Sequence, residues 1–354
     1  MRKERYDRAM RKSFAVLLLL VACATVPARD HTAAIGASRA DVAQLVATAH
    51  VPGAAVAVSV GDAIVWHDTF GHADVAAKKP VTAETRFRIG SVTKILTATA
   101  LMRLVEEGRV QLDDPVSKYL PDFPHGAITL RQLAAHTGGI RHYRSGEFLN
   151  TQHFDSATAS LARFAGDPLL SPPGAQYSYT TYGYNVLGAV IERVTGQAFD
   201  RALQSLVFAP MGMRETTFAA DAHTTTFYER GEVAPIVDLS DRLPAGAALS
   251  TARDLARLLI GTAKLPATTM TTFLTPQKTN DGTATIVGAG WRVAKDDAGR
   301  TFLHHGGQST GGRAFVLVYP KERVGVAFVS NMGGVPFAEK DAQTIAARFL
   351  PDVQ

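Results

Sequence analysis

Strand-like apolar runs stand near the two ends of this chain, with about two hundred residues of a different character between them. Early on, Ala54-Ala-Val-Ala-Val-Ser-Val60 and Ala63-Ile-Val-Trp-His-Asp-Thr-Phe70 flank the turn pair Gly61-Asp62, which reads as a β-hairpin. Strand patterns return at Ala289 to Val293, Thr301 to His304, Arg313 to Tyr319 and Val324 to Ser330, before a closing helix over Phe337 to Phe349. Neither group can cover its own apolar face. The two are therefore expected to join in one antiparallel sheet, with about residues 96–285 looping out of it as a mainly helical insert.

Helical patterns fill that insert: Leu130 to Ala135, Ser156 to Phe164, Tyr184 to Thr195, Phe199 to Leu206 and Thr251 to Ala263, the last with Thr251 and Asp254 as an N-cap pair. A first helix is expected over Ser38 to His50. The segment Ser91 to Glu107 is apolar on more than one face, with Gly108 as its stop, so this helix is expected to be mostly buried.

The chain's 46% hydrophobic and 19% charged residues are globular proportions, which excludes a disordered chain. The formal charge of +5 is concentrated at the start, where residues 1–12 hold six Lys or Arg against Glu4 and Asp7; that +4 leaves +1 for the rest and no nucleic-acid footprint. The basic start runs into an apolar stretch from Phe14 to Cys23, too short to span a bilayer and of the length of a signal-peptide core. Residues 1–22 are read as a signal peptide, 23–37 as a linker and 38–354 as one domain, which predicts an exported, periplasmic protein. Met10-Arg11-Lys12 would serve as an alternative start.

Leu20-Val21-Ala22-Cys23 resembles a lipobox, which would leave Cys23 acylated and the protein anchored to a membrane; the alternative is cleavage by an ordinary signal peptidase near Ala22-Cys23-Ala24. Cys23 is the single cysteine, so an intrachain disulfide and a Cys nucleophile within the fold are both excluded.

Ser91-Val-Thr-Lys94 opens the buried helix. Residues i and i+3 share a helix face, so the Lys94 amine can reach the Ser91 hydroxyl, and burial would lower its pKa and let it act as a base. A helix N-terminus also aims backbone N–H groups at a reacting carbonyl, half of an oxyanion hole. Read alone, Ser91 is equally a plain N-cap.

Around it, Phe87-Arg-Ile-Gly-Ser91-Val-Thr-Lys94, the run Leu104 to Pro121, Ile128 to Ile140, and Tyr177-Ser-Tyr179-Thr-Thr-Tyr-Gly-Tyr-Asn-Val-Leu-Gly188 resemble the class C β-lactamase-related serine hydrolases of the penicillin-binding superfamily, over essentially all of residues 40–345. The resemblance implies an α+β, β-lactamase/transpeptidase-like fold and an acyl-enzyme on Ser91, with Lys94 and Tyr179 sharing acid and base duty. In that family's Tyr-x-Asn motif the Tyr matches Tyr179 while Thr181 replaces the Asn; this Tyr-x-Thr variant is similar to mitochondrial β-lactamase-like proteins and their bacterial relatives. Thr181 lacks an amide's paired donor and acceptor, which puts substrate positioning there in question. Tyr182-Gly-Tyr184-Asn185 competes for the same motif in the wrong register.

The family's Lys-Thr-Gly strand motif corresponds to His305-Gly306-Gly307. By that match the Gln308 N–H completes the oxyanion hole, Gly307 belongs to the same site, and His305 contacts the substrate or Tyr179; a structural histidine is the alternative. Gly307-Gln-Ser309-Thr-Gly311 also spells the nucleophile elbow of α/β-hydrolases, but a strand pattern follows it and no His lies downstream of His305. His136 is read as a packing residue and His304 as a strand residue.

No metal-binding pattern is present and no cofactor is implied. The expected substrates are small peptides, esters or β-lactams, with peptidase or esterase activity ranked above a true β-lactamase or D-alanyl-D-alanine carboxypeptidase. The rival class is a noncatalytic cell-wall binding or sensing protein. Oligomeric state is not legible.

Overall fold

The computed structural model describes residues 29–351, and Cys23 with the signal segment lies outside them. The chain enters on α1 (Thr32–Thr48), six residues ahead of the expected helix start and inside the expected linker. Strands β1 (Gly53–Val60) and β2 (Ala63–Asp74) form the hairpin, followed by the short β3 (Lys79–Pro80). Helix α2 (Thr93–Glu106) follows, then α3 (Leu130–Ala134), α4 (Tyr182–Thr195) and α5 (Ala252–Thr262). The chain returns to β with β4 (Arg292–Lys295), β5 (Thr301–Ser309), β6 (Gly312–Tyr319) and β7 (Val324–Ser330), and closes on α6 (Glu339–Ala347).

The main sheet runs β3-β2-β1-β7-β6-β5-β4 and is antiparallel throughout. The join between the chain's two ends is β1 on β7, from Ala54 opposite Ser330 to Val60 opposite Val324. Nearly every residue of β1 is buried because both faces of the sheet are covered. Val56 and Phe328 share one core with Val42, Phe337 and Ile345 of the α1/α6 layer, while Ala55, Ala57 and Val329 share the other with Ile95, Leu255 and Leu259.

Several element boundaries differ from expectation. The strand expected at Ala289 to Val293 starts at Arg292, because Gly290 has φ +83° and a Cβ there would lie 2.6 Å from Ala98 of α2, so this stretch turns against α2 instead of extending. Strand β5 runs on to Ser309 rather than stopping at His304, since pairing with β6 continues to Ser309 opposite Gly312. The helix expected over Ser156 to Phe164 splits into Ala157–Ser160 and a 3₁₀ turn Leu161–Arg163, and a helix Ala267–Leu274 arises from a Thr-rich stretch with no clear apolar period.

Candidate active site

The site begins where two stretches of backbone touch. Gly90 adopts φ +51°, and a Cβ there would come within 2.5 Å of the Gln308 carbonyl oxygen; a Cβ on Gly307 would sit 1.9 Å from the Ile89 carbonyl oxygen. Two glycines thus let β5 lie directly on the turn that carries Ser91, a 3₁₀ turn Gly90–Val92 leading into α2. The tight turn between β5 and β6 makes Ser309 and Gly312 the closing pair, so Gln308, opposite Arg313, turns its N–H away from β6 and toward Ser91.

Lys94, the second residue of α2 and one turn after Ser91, is fully buried. Its Nζ stands 3.1 Å from Ser91 Oγ, 3.3 Å from Thr181 Oγ1 and 3.0 Å from the Ala245 carbonyl oxygen, all uncharged partners. Burial, aided by Arg242 and Arg292, pushes its pKa well below the usual lysine value. The segment supplying Ala245 is stitched to α2, with Thr97 Oγ1 donating to the Pro244 carbonyl at 2.5 Å and the Ala248 N–H to Thr93 Oγ1 at 3.3 Å.

Tyr179 lines the same cleft as Ser91, with Lys94 Nζ 4.9 Å above its ring. Burial raises the phenol to about 12 against the opposing effects of Ser91 and Arg292, so it holds its proton at neutral pH. His136 props up this loop from φ +59°: its Nδ1 accepts the Thr180 N–H at 3.2 Å, its carbonyl accepts the Ser178 N–H at 2.8 Å, and its ring lies 4.4 Å from that of Tyr179.

Ser91, Tyr179, Thr181, Gln308 and Ser309 line a cleft of about 240 Å³, with His142, Tyr143, Phe148, Arg242, Ala245 and Gly246 opposite. Two of the expected site residues do not line the cleft. Gly307 serves the close approach to Ile89 and does not line the cleft. His305 is 2% exposed and lies beneath Tyr179, ring centroids 6.3 Å apart, donating Nδ1–H to the Gly306 carbonyl at 2.6 Å. Burial, with Lys94 and Arg292 nearby, holds it neutral.

The competing motifs resolve by burial. Tyr184 donates its hydroxyl to the Ala134 carbonyl at 2.8 Å, and Asn185 donates to Ser160 Oγ and the Asp241 carbonyl inside α4, so neither reaches the cleft. Ser309 does line the cleft, but it ends a strand that turns straight into β6, with no elbow and no following helix.

Sequence reasoning missed three groups. Arg242, 3% exposed, is bound to Asp241 at 2.7 Å and to the carbonyls of Glu147 and Phe148, with its guanidinium 4.7 Å above the Tyr143 ring. Arg292, on edge strand β4, lies 5.9 Å from the Tyr179 ring; its buried Nε has no partner, and among the described residues it forms no ion pair with a carboxylate. His142 is the third. No i,i+3 or i,i+4 spacing announces any of them: His142 and Arg242 line the cleft, and Arg292 stands beside Tyr179 from an edge strand without lining it.

A larger hollow of about 760 Å³ beside Arg88 and Phe227 contains Ser156, which caps a helix, and Ser240, which bonds Asp238; neither is placed beside a lysine. Among the described residues no group of three or more His, Cys, Asp or Glu side chains is placed to hold a metal, and no helix is long and apolar enough to cross a membrane.

The family model described as Beta-lactamase matches residues 39–348. Protein flp of Staphylococcus aureus (strain MW2) is 26% identical over 302 residues, covering 80% of this chain and 60% of that protein. The serine beta-lactamase-like protein LACTB, mitochondrial, of Homo sapiens is 28% identical over 286 residues, covering 58% of this chain and 52% of its own length. The chain thus spans only part of the length of these curated relatives. Among solved structures, the octameric penicillin-binding protein homologue from Pyrococcus abyssi superimposes with a TM-score of 0.77 at 25% identity, over 89% of this chain and 77% of that one. The penicillin binding protein from Bacillus halodurans gives 0.73 at 26% identity, over 87% and 98%.

Proposed function

The chain belongs to the Beta-lactamase family of serine hydrolases, and on that premise we propose that it hydrolyses peptide, amide or ester bonds through an acyl-enzyme on Ser91. The observation that carries this reading is Lys94: a fully buried amine, 3.1 Å from Ser91 Oγ, with no carboxylate among the described residues to hold its proton. A neutral amine that donates its two hydrogens to the Ala245 carbonyl and Thr181 Oγ1 turns its lone pair to the Ser91 hydroxyl.

Ser91 Oγ attacks the substrate carbonyl as its proton passes to Lys94 Nζ. The developing oxyanion receives the N–H groups of Ser91 and Gln308. Tyr179, still protonated, gives its hydrogen to the leaving group and is reprotonated by Lys94; water then attacks the ester by the same route in reverse. The roles of Thr181 and Gly307 are positional, holding Lys94 and docking β5.

His305 is buried and neutral, so the charge for any anionic group on the substrate comes instead from Arg292, the cation beside Tyr179 that lacks a carboxylate partner. This keeps β-lactams and peptides with a free carboxylate within the substrate range alongside simple esters. The basic start and apolar run before Cys23 support export to the periplasm with lipid attachment at Cys23; fractionation of a Cys23→Ser variant tests that, and unchanged membrane association would sink it.

The test of the function is labelling with a fluorophosphonate and a fluorescent penicillin, together with kinetics on nitrocefin, a D-alanyl peptide and p-nitrophenyl esters. Labelling that persists in Ser91→Ala would move the nucleophile. An intact protein that neither labels nor turns over any of these would instead favour a noncatalytic binding role.

A further inference from the structure

The turn that joins β5 to β6 is gripped by two charged side chains, Arg88 and Glu229, neither of which lines the cleft. Arg88 Nη1 donates to the Thr310 carbonyl at 2.7 Å, and Glu229 Oε1 accepts the Gly311 N–H at 2.6 Å. The two acceptor and donor groups belong to one peptide bond. A trans peptide is planar with its C=O and N–H pointing opposite ways, so a cation at one end and a carboxylate at the other fix the orientation of the whole plane through two charge-assisted bonds.

The surroundings leave this peptide little room. Thr310 is buried, and a Cβ on Gly311, at φ +69°, would come within 2.3 Å of Phe227 Cβ. The same Phe227 carries the Arg88 guanidinium 4.0 Å above its ring. Burial, then Arg242, lower the Arg88 pKa to about 10, so it stays charged at neutral pH. Each arm has its own anchor: the short strand Phe87–Arg88 pairs with Leu249–Ser250, and Tyr228, next to Glu229, bridges to Met332 just past β7. Gln308 stands two residues before Thr310, at the end of β5 where its N–H faces Ser91.

We propose that Arg88 and Glu229 are positioning residues that, by gripping the Thr310–Gly311 peptide at its two ends, hold the Gln308 N–H where the oxyanion forms. The inference rests on Ser91 as nucleophile. A donor released from this grip loses its bond to the oxyanion, which exists only beyond the ground state, and leaves substrate binding nearly intact.

The experiment measures kcat and KM for p-nitrophenyl butyrate per active site, counted by fluorophosphonate titration, together with inhibition by phenylboronic acid, whose tetrahedral adduct on Ser91 puts an oxygen where the oxyanion forms. In Glu229→Ala and in Arg88→Met kcat is expected to fall about tenfold with KM within about twofold, and the inhibition constant to rise by a similar factor. Glu229→Gln, which keeps an oxygen for the Gly311 N–H, recovers most of the loss. An unchanged kcat in both variants, a loss confined to KM or to the number of titratable sites, or no recovery in Glu229→Gln would overturn the inference and leave Ser91 untouched. A wild-type protein inert toward the ester, and unlabelled by fluorophosphonate, would overturn the Ser91 reading and this inference together.

Discussion

The floor of the cleft and its rim are held by different means. At the floor, Ser91, Lys94 and Gln308 are fixed by backbone lying on backbone at Gly90 and Gly307, and by a lysine whose partners are all uncharged. At the rim, His142, Phe148 and Arg242 come from loops and depend on rings and on the Arg242–Asp241 ion pair. The floor leaves its one charge-bearing group without a counter-charge, which is what a proton acceptor needs. The rim neutralises its arginine, which is what a binding surface needs. The floor therefore sets the chemistry and the rim sets the selection, and substitutions in each are expected to read out differently.

The largest effect is expected from Ser91→Ala, which removes both turnover and covalent labelling. Lys94→Ala and Tyr179→Phe should each lower kcat by about a hundredfold or more, because each removes one proton-transfer partner. Retention of kcat in either variant, with labelling intact, would break the assignment of the floor.

Next comes stability at the rim. Arg242→Met strands Asp241, which is fully buried and keeps only Arg163 at 3.5 Å, at a cost of about 3–5 kcal/mol in urea unfolding. Adding Asp241→Asn should recover part of that loss. If the single variant unfolds at the wild-type urea midpoint, the ion pair does not hold the rim.

A smaller effect is expected from Arg292→Gln, about tenfold in kcat/KM for a carboxylate-bearing substrate such as nitrocefin and little for p-nitrophenyl butyrate. Equal effects on the two would mean that Arg292 supports Tyr179 rather than reading charge.

The smallest expected effect is with pH. Lys94 must be neutral to act, so activity falls as pH drops through its pKa, which burial holds well below the usual lysine value. Tyr179, raised to about 12, stays protonated across the same range. His142 titrates near 4 and His305 lower than an ordinary histidine, so the ratio of nitrocefin to butyrate hydrolysis should be flat from pH 5.5 to 8.5. A ratio that rises toward pH 5.5 would bring a titrating histidine back into contact with substrate.

What was legible in the sequence follows from how local its cause is. Ser91 and Lys94 could be paired because three residues along one helix fix their geometry, and the sheet could be foreseen because two apolar segments each lacked a cover. Of the two contacts expected for His305, substrate or Tyr179, the structure has the Tyr179 one, and strand β5 runs five residues past the expected end at His304. Once the strand continues, successive side chains alternate: His304 turns to Phe315 and to Glu339 of α6, 3.4 Å away, and His305 turns inward beneath Tyr179. His142, Arg242 and Arg292 carry no local signature, since part of what places each one lies dozens of residues away: Thr181 for His142, Glu147 and Phe148 for Arg242, and Tyr179 for Arg292.

The pairing of β1 with β7 also sets a schedule. The N-terminal hairpin is synthesised long before its partner strand, which ends at Ser330. Contacts this distant in sequence are slow to form and cannot reward the chain until β7 exists. The sheet is thus expected to close late in folding, when β7 pairs beside β1.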